Sequence, residues 1–330
     1  MAHSTVPVIT KQPETERHRE PVRVISAPVR PIALNLLVSL RPAQWTKNLI
    51  VFAGLLLGQR GNSPAFLDPH AIAQAVGAFV VFCALSGVVY LINDVADRDK
   101  DRVHPLKRNR PIASGAVPVG VALGTALLLA AVALGAAYIL RPAFALVALS
   151  YVALLALYSG PLKHVVIIDV LTIAIGFVLR AAGGAVAVDV PISHWLLILT
   201  ILGALFLALS KRRHELVLLA DGATGHRPIL EEYSPYLLDQ MIAVVTASAL
   251  VSYVIYTVSP ETVEKFHTHY LGLTLVFPLY GIFRYLYLVH LKEGGGSPAD
   301  TLLNDRPLLA CVALWALAVV AIIYGTRLNG

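Results

Sequence analysis

Apolar residues in this chain gather in long runs instead of alternating with polar ones, a pattern that predicts helices hydrophobic all round rather than half-buried strands. Nine runs read as membrane spans: 32–57, 71–92, 117–140, 144–158, 165–188, 195–209, 238–258, 271–291 and 307–324. A run of roughly 17–25 residues crosses a hydrocarbon core about 30 Å thick. The expected fold is therefore an all-α integral membrane bundle of about nine transmembrane helices. No internal repeat or second folded domain interrupts residues 31–330.

Composition agrees, with 57% hydrophobic and only 14% charged residues among 330. Cys83 and Cys311 both sit inside apolar runs, as small buried hydrophobes do, and offer neither a disulfide framework nor a metal cluster. Residues 1–30 mix Pro, Glu, Arg and Thr without periodicity and lack the apolar stretch and cleavage site of a signal peptide, so they are expected to be a disordered cytosolic tail.

The net charge of +6 is unevenly placed. With the N-terminus inside, Arg98, Lys100, Arg102, Lys107, Arg108, Arg110, Lys163, Lys211, Arg212, Arg213, Arg227, Lys292 and Arg306 fall on the cytosolic side, and only Arg60, Arg141, Lys265 and Arg327 outside. The positive-inside rule then gives N-in, C-out. These basic loops are read either as topology determinants touching anionic lipid or as a polar cap converging over one end of the bundle. Neither reading points to nucleic acid, and a homo-oligomer is compatible with both.

The second run ends in Asn93-Asp94-Val95-Ala96-Asp97-Arg98-Asp99-Lys100-Asp101. If the helix continues, Asn93, Asp97 and Asp101 share one face and Asp94 lies about a quarter-turn away. Stacked carboxylates repel, and acids at a helix C-terminus oppose its dipole, so the arrangement calls for a cation. Mg2+, which bridges one or two carboxylates to substrate phosphates, is the natural candidate. The plainer reading is a solvated helix end neutralised by its interleaved Arg and Lys.

These residues match NDxxDxxxD at Asn93, Asp94, Asp97 and Asp101, and the chain from about Leu40 onward resembles the UbiA superfamily of intramembrane prenyltransferases. The resemblance implies a helix bundle around a central cavity, capped by cytosolic loops, in which Asn93, Asp97 and Asp101 hold magnesium and a diphosphate. Where that superfamily usually carries a second Asp-rich motif, after the sixth helix, this chain reads Leu209-Ser210-Lys211-Arg212-Arg213-His214-Glu215. That stretch, with Arg41-Pro42-Ala43-Gln44-Trp45-Thr46-Lys47-Asn48 and Tyr158-Ser159-Gly160-Pro161-Leu162-Lys163, resembles the decaprenyl-phosphate phosphoribosyltransferase branch. Resemblance to that branch implies phosphoribosyl pyrophosphate as donor, a polyprenyl phosphate lipid as acceptor, and a product that feeds cell-wall arabinan.

Lys47, Lys107, Arg108, Arg110, Lys163 and Lys211, with Arg212, offer more positive charge than one magnesium-bound diphosphate requires, which suits a second phosphorylated substrate. Asp94 either joins the catalytic acids or bonds a ribose hydroxyl. Tyr158 either lines the pocket or anchors at the membrane interface. Asp169 and Arg180 lie on one face of the fifth span, roughly 16 Å apart and too far for an ion pair. Arg180 is costly among apolar residues, so it is expected to face the cavity as part of the catalytic set. Lys211 and His214 share a helical face from which Arg212 points away, with Lys211 assigned to phosphate and His214 to orienting its neighbours. Arg284 meets the lipid phosphate or snorkels to headgroups. Asn304 and Asp305, before Arg306-Pro307, read as a helix cap outside the site.

Two other readings compete with phosphoribosyl transfer. One is prenyl transfer from an isoprenyl diphosphate to an aromatic acceptor, and the other is a secondary transporter, whose site would lie near the bilayer midplane.

Overall fold

The computed structural model describes residues 30–61, 63–105, 107–220, 228–291 and 304–328. The expected N-terminal tail falls almost wholly outside these residues, as do Arg227 and Lys292.

Among the described residues, eight helical segments are long and apolar enough to cross a membrane. They are built on α3 (Pro69–Ala96), α5 (Val119–Leu140), α6 (Pro142–Ser159), α7 (Ile168–Ala187), α8 (His194–Ala220), α9 (Pro235–Val258), α11 (Val276–Leu291, entered from the 3-10 turn Tyr270–Leu275) and α12 (Arg306–Leu328). The protein is a multi-pass all-α membrane protein. Shorter pieces complete it: α1 (Ile32–Ser39), α2 (Ala53–Leu57), α4 (Arg98–Val103), α10 (Pro260–Phe266) and a two-stranded hairpin, β1 (Gln59–Arg60) with β2 (Ser63–Pro64).

The first expected span, 32–57, is not one helix. Pro42 disfavours helical backbone at Arg41, which turns left-handed (φ 53°, ψ 63°), and the chain continues as a 3-10 helix, Pro42–Phe52, before α2. This irregular backbone is tolerated at membrane depth because it is packed against protein. The contact is close: a Cβ on Gly184 of α7 would stand 1.9 Å from the Val51 carbonyl oxygen, and one on Gly54 would stand 2.6 Å from the Ala185 Cα. Small residues permit such approaches between membrane helices. Gly184→Leu is therefore expected to abolish recovery of monodisperse protein from detergent, as read by size-exclusion chromatography. Gly120→Leu, on α5 where a Cβ meets nothing within 4 Å, is expected to leave it intact.

Beside this contact, Phe82 of α3 packs edge-on to Phe144 (5.7 Å) and Tyr151 (5.3 Å) of α6, all three fully buried. The core thus ties α3, α6, α7 and the 3-10 segment together and leaves the C-terminal end of α3, with its acids, at one end of the bundle. At the other end of α3, Asp68 caps the helix by accepting from the His70 N–H (2.9 Å) and pairs with Arg60 (2.6 Å).

Candidate active site

The regular helix of α3 stops at Ala96, but its path does not. The Asp97 N–H still donates to the Asn93 carbonyl (2.9 Å), and the Asp101 N–H to that of Asp97 (2.8 Å), carrying the turn into α4. The acids nevertheless sort differently from the expected stack. Asp94 and Asp101, seven residues and about two turns apart, share one partner: Arg110 Nη1 stands 2.6 Å from Asp101 Oδ2 and 3.2 Å from Asp94 Oδ1. Arg41 Nη2 adds a second contact to Asp94 Oδ1 at 2.5 Å while its guanidinium stacks 4.7 Å from the Tyr90 ring centroid. Asp97 accepts from Lys163 Nζ at 2.7 Å. The Asp94 and Asp101 side chains are 3% and 5% exposed against 24% for Asp97, so the residue that the spacing set apart is the most enclosed of the three. Asn93 is half-buried.

A cleft of about 280 Å³ opens over Ser39, Arg41, Asp94, Asn109 and Arg110. Lys107 and Arg108 flank it on the 3-10 turn Lys107–Asn109, Arg108 being exposed. Arg41 was absent from the expected set, although an arginine before a proline inside an apolar run is both an intramembrane charge and a helix breaker.

A second cluster joins α7 to α8. Arg212 is almost fully buried and donates through Nε to Asp169 (2.9 Å), through Nη1 to Glu215 (2.8 Å) and, at the limit of 3.5 Å, through Nη2 to the Tyr158 hydroxyl. Asp169 is fully buried and also accepts from the Tyr233 hydroxyl (2.8 Å), which itself accepts from the Ile167 N–H (2.7 Å). Burial first, and then the bond to Asp169, pushes the Tyr233 phenol up to about 12. Ile167 has φ 69°, a strained value for a β-branched residue, held where Tyr233 satisfies its N–H. Asp169, expected to bind substrate, is enclosed by these partners. The roles of the basic pair are correspondingly reversed: Arg212, expected to point away, is the enclosed cation, whereas Lys211 is half-exposed, 3.9 Å from Glu215. His214 is half-buried one turn along from Lys211. Tyr233 lies far along the chain and carried no sequence signal.

Arg180, 7% exposed, is enclosed by protein groups: Nε donates to Asn48 Oδ1 (2.8 Å) and Nη2 to the Tyr151 hydroxyl (2.6 Å), between the rings of Tyr151 (4.7 Å) and Phe177 (4.9 Å). Ser86 bonds both Asn48 (3.3 Å) and Tyr151 (3.1 Å), closing a network that spans four elements. Lys47, next to Asn48, is half-buried on the 3-10 segment. Arg284 is engaged by Asp305 (2.8 Å), and that guanidinium holds the Asp305 carboxyl below its usual range. Asp305 also caps α12 through the Leu308 N–H (2.9 Å), so it both caps, as expected, and occupies Arg284.

Among the described residues, no three carboxylate, imidazole or thiol side chains gather into a ready cation site. The acids present are nevertheless the hard oxygen donors that Mg2+ takes, each with a carboxylate oxygen outside the ion pairs described above. Magnesium usually completes its shell with substrate phosphate and water, so the donor set fits the ion.

Residues 47–304 match the UbiA prenyltransferase family. The chain is 32% identical to the decaprenyl-phosphate phosphoribosyltransferase of Corynebacterium glutamicum over 90% of its own length and 89% of that protein's. With the enzyme of that name from Mycolicibacterium smegmatis the identity is 33%, covering 92% and 97%. The structure of a UbiA homologue from Archaeoglobus fulgidus bound to GPP and Mg2+ superposes with a TM-score of 0.66 over 88% of this chain and 99% of that one, at 19% identity. The continuous match through both the acidic and the basic clusters establishes that the chain belongs to the UbiA prenyltransferase family.

Proposed function

We propose that the chain, through residues 31–330, transfers the 5-phosphoribosyl group from phosphoribosyl pyrophosphate to a polyprenyl phosphate and releases diphosphate. The observation that carries this reading is the likeness, across nine-tenths of the chain, to proteins named for that transfer. The sequence of basic residues supports it: Lys211, Arg212 and Arg213 stand on α8 where a second acidic motif would serve prenyl transfer, Arg212 buried against Asp169 and Arg213 paired with Asp239.

The sugar C1–O bond to diphosphate breaks and a lipid phosphate oxygen takes its place on C1. That nucleophile is already an anion, so no general base is needed. Asn93, Asp94, Asp97 and Asp101 are the residues that would hold Mg2+, which when bound neutralises the departing diphosphate. Arg41, Arg110 and Lys163 stand ready to donate to phosphate oxygens. Lys47, Lys107, Arg108 and Lys211 supply further donors around the cap for the 5-phosphate and the lipid phosphate. Arg212, held by Asp169 and Glu215 with Tyr233 fixing Asp169, keeps α7 and α8 in register beneath the cap without reorganising during transfer. The basic loops support a cap that faces the cytosolic side of the cell membrane.

The test is to incubate purified protein in detergent with magnesium, polyprenyl phosphate and either phosphoribosyl pyrophosphate or an isoprenyl diphosphate plus an aromatic acid. The expected result is a lipid heavier by one phosphoribosyl unit, with matching diphosphate release. A prenylated aromatic would replace this reading with the prenyl-transfer one.

A further inference from the structure

The three acids are matched by three cations in direct contact. Asp94, Asp97 and Asp101 oppose Arg41, Arg110 and Lys163, so the formal charges of these six side chains balance before any ligand arrives. Two of the carboxylates are almost fully enclosed, and the three acids belong to no ready cation site. A divalent cation entering alone would add two charges to this balanced set and meet three cations already in place. A diphosphate entering alone would meet the acids. Arriving together, the two can exchange partners: the guanidinium and ammonium groups turn to phosphate oxygens, and the carboxylates turn to the metal.

We infer that Arg41, Arg110 and Lys163 are exchangeable counterions that prevent the acidic cluster from loading a divalent cation by itself, so that cation and diphosphate enter the site only as a pair. This deepens the proposed transfer and rests on it only in requiring a diphosphate donor. Coupling of this kind is reciprocal, so each ligand tightens the other by the same factor. Its consequence is that the site stays closed to free Mg2+ and opens only when a donor molecule is there to be used.

The experiment is ultrafiltration of the full-length protein in detergent, counting Mn2+ and inorganic pyrophosphate retained with it, so that complexes formed free in solution pass through the filter. Wild-type protein is expected to retain little Mn2+ alone and to retain Mn2+ and pyrophosphate in equal amounts when both are present, with apparent Mn2+ affinity rising about 100-fold. Lys163→Met strips Asp97 of its counterion. It is expected to retain Mn2+ alone at least about tenfold better than wild type while the coupling to pyrophosphate weakens. Lys163→Arg should restore the wild-type pattern. Arg110→Gln, which unpairs Asp94 and Asp101, gives a second variant should Lys163→Met fold poorly. A residue that only binds phosphate would lose pyrophosphate without gaining metal, and that result for both variants overturns the inference.

Stoichiometric retention of Mn2+ by wild type without pyrophosphate also overturns it while leaving the transfer reading intact. Absence of Mn2+ under both conditions overturns it together with the metal assignment. A prenyl donor in the transfer assay would leave the retention pattern unchanged, since pyrophosphate is common to both donors.

Discussion

Asp97→Ala is expected to lower turnover by about a hundred- to a thousandfold, the usual cost of removing one group that stabilises charge developing in a transition state. The protein should remain folded and membrane-inserted, because Asp97 caps the end of α3, is 24% exposed and takes no part in the apolar core. The same substitution leaves Lys163 without its partner, so donor binding should survive better than turnover does, and the loss should appear chiefly in kcat. Diphosphate release measured at saturating donor decides it. Turnover at the wild-type rate with raised magnesium would sink the assignment of Asp97 to the metal.

Arg212→Met is expected to be strongly destabilising. It leaves Asp169, fully buried, with an unpaired carboxylate, and breaking a buried pair from one side costs about 3–5 kcal/mol. In detergent the unfolding midpoint should fall sharply. Adding Asp169→Asn should recover most of the loss, because the uncompensated charge is then gone and Tyr233 keeps an acceptor. Equal destabilisation in the single and double variants would show that Arg212 acts through packing and not through charge.

How much of this was legible beforehand differs between the two clusters. Asp94, Asp97 and Asp101 lie on consecutive turns, so local helical geometry alone announces them. The counterions come from three distant places, at positions 41, 110 and 163, and no periodicity links them. Helical spacing set Asp94 a quarter-turn from the other acids, whereas their grouping in the fold follows from a single guanidinium reaching two carboxylates two turns apart. At Arg212, spacing again gave a face but not a depth. What buries it is Asp169 on another helix, and what holds Asp169 is Tyr233, sixty-four residues further on. The helices were readable wherever apolar runs continued unbroken. The first run deceived because its hydropathy is that of a span while Arg41-Pro42 denies it a single helical path.

The network around Arg180 also bears on how the chain is made. Inserting an arginine at the centre of a membrane helix costs about 2.5–3.5 kcal/mol on translocon scales. Its acceptors, Asn48 and Tyr151, and Ser86, which bonds both of them, all precede it in the chain. Synthesis runs from the N-terminus, so these groups are delivered to the membrane before α7 leaves the ribosome. The cation reaches the bilayer after its partners, and the order of residues along the gene serves biogenesis as well as the finished fold.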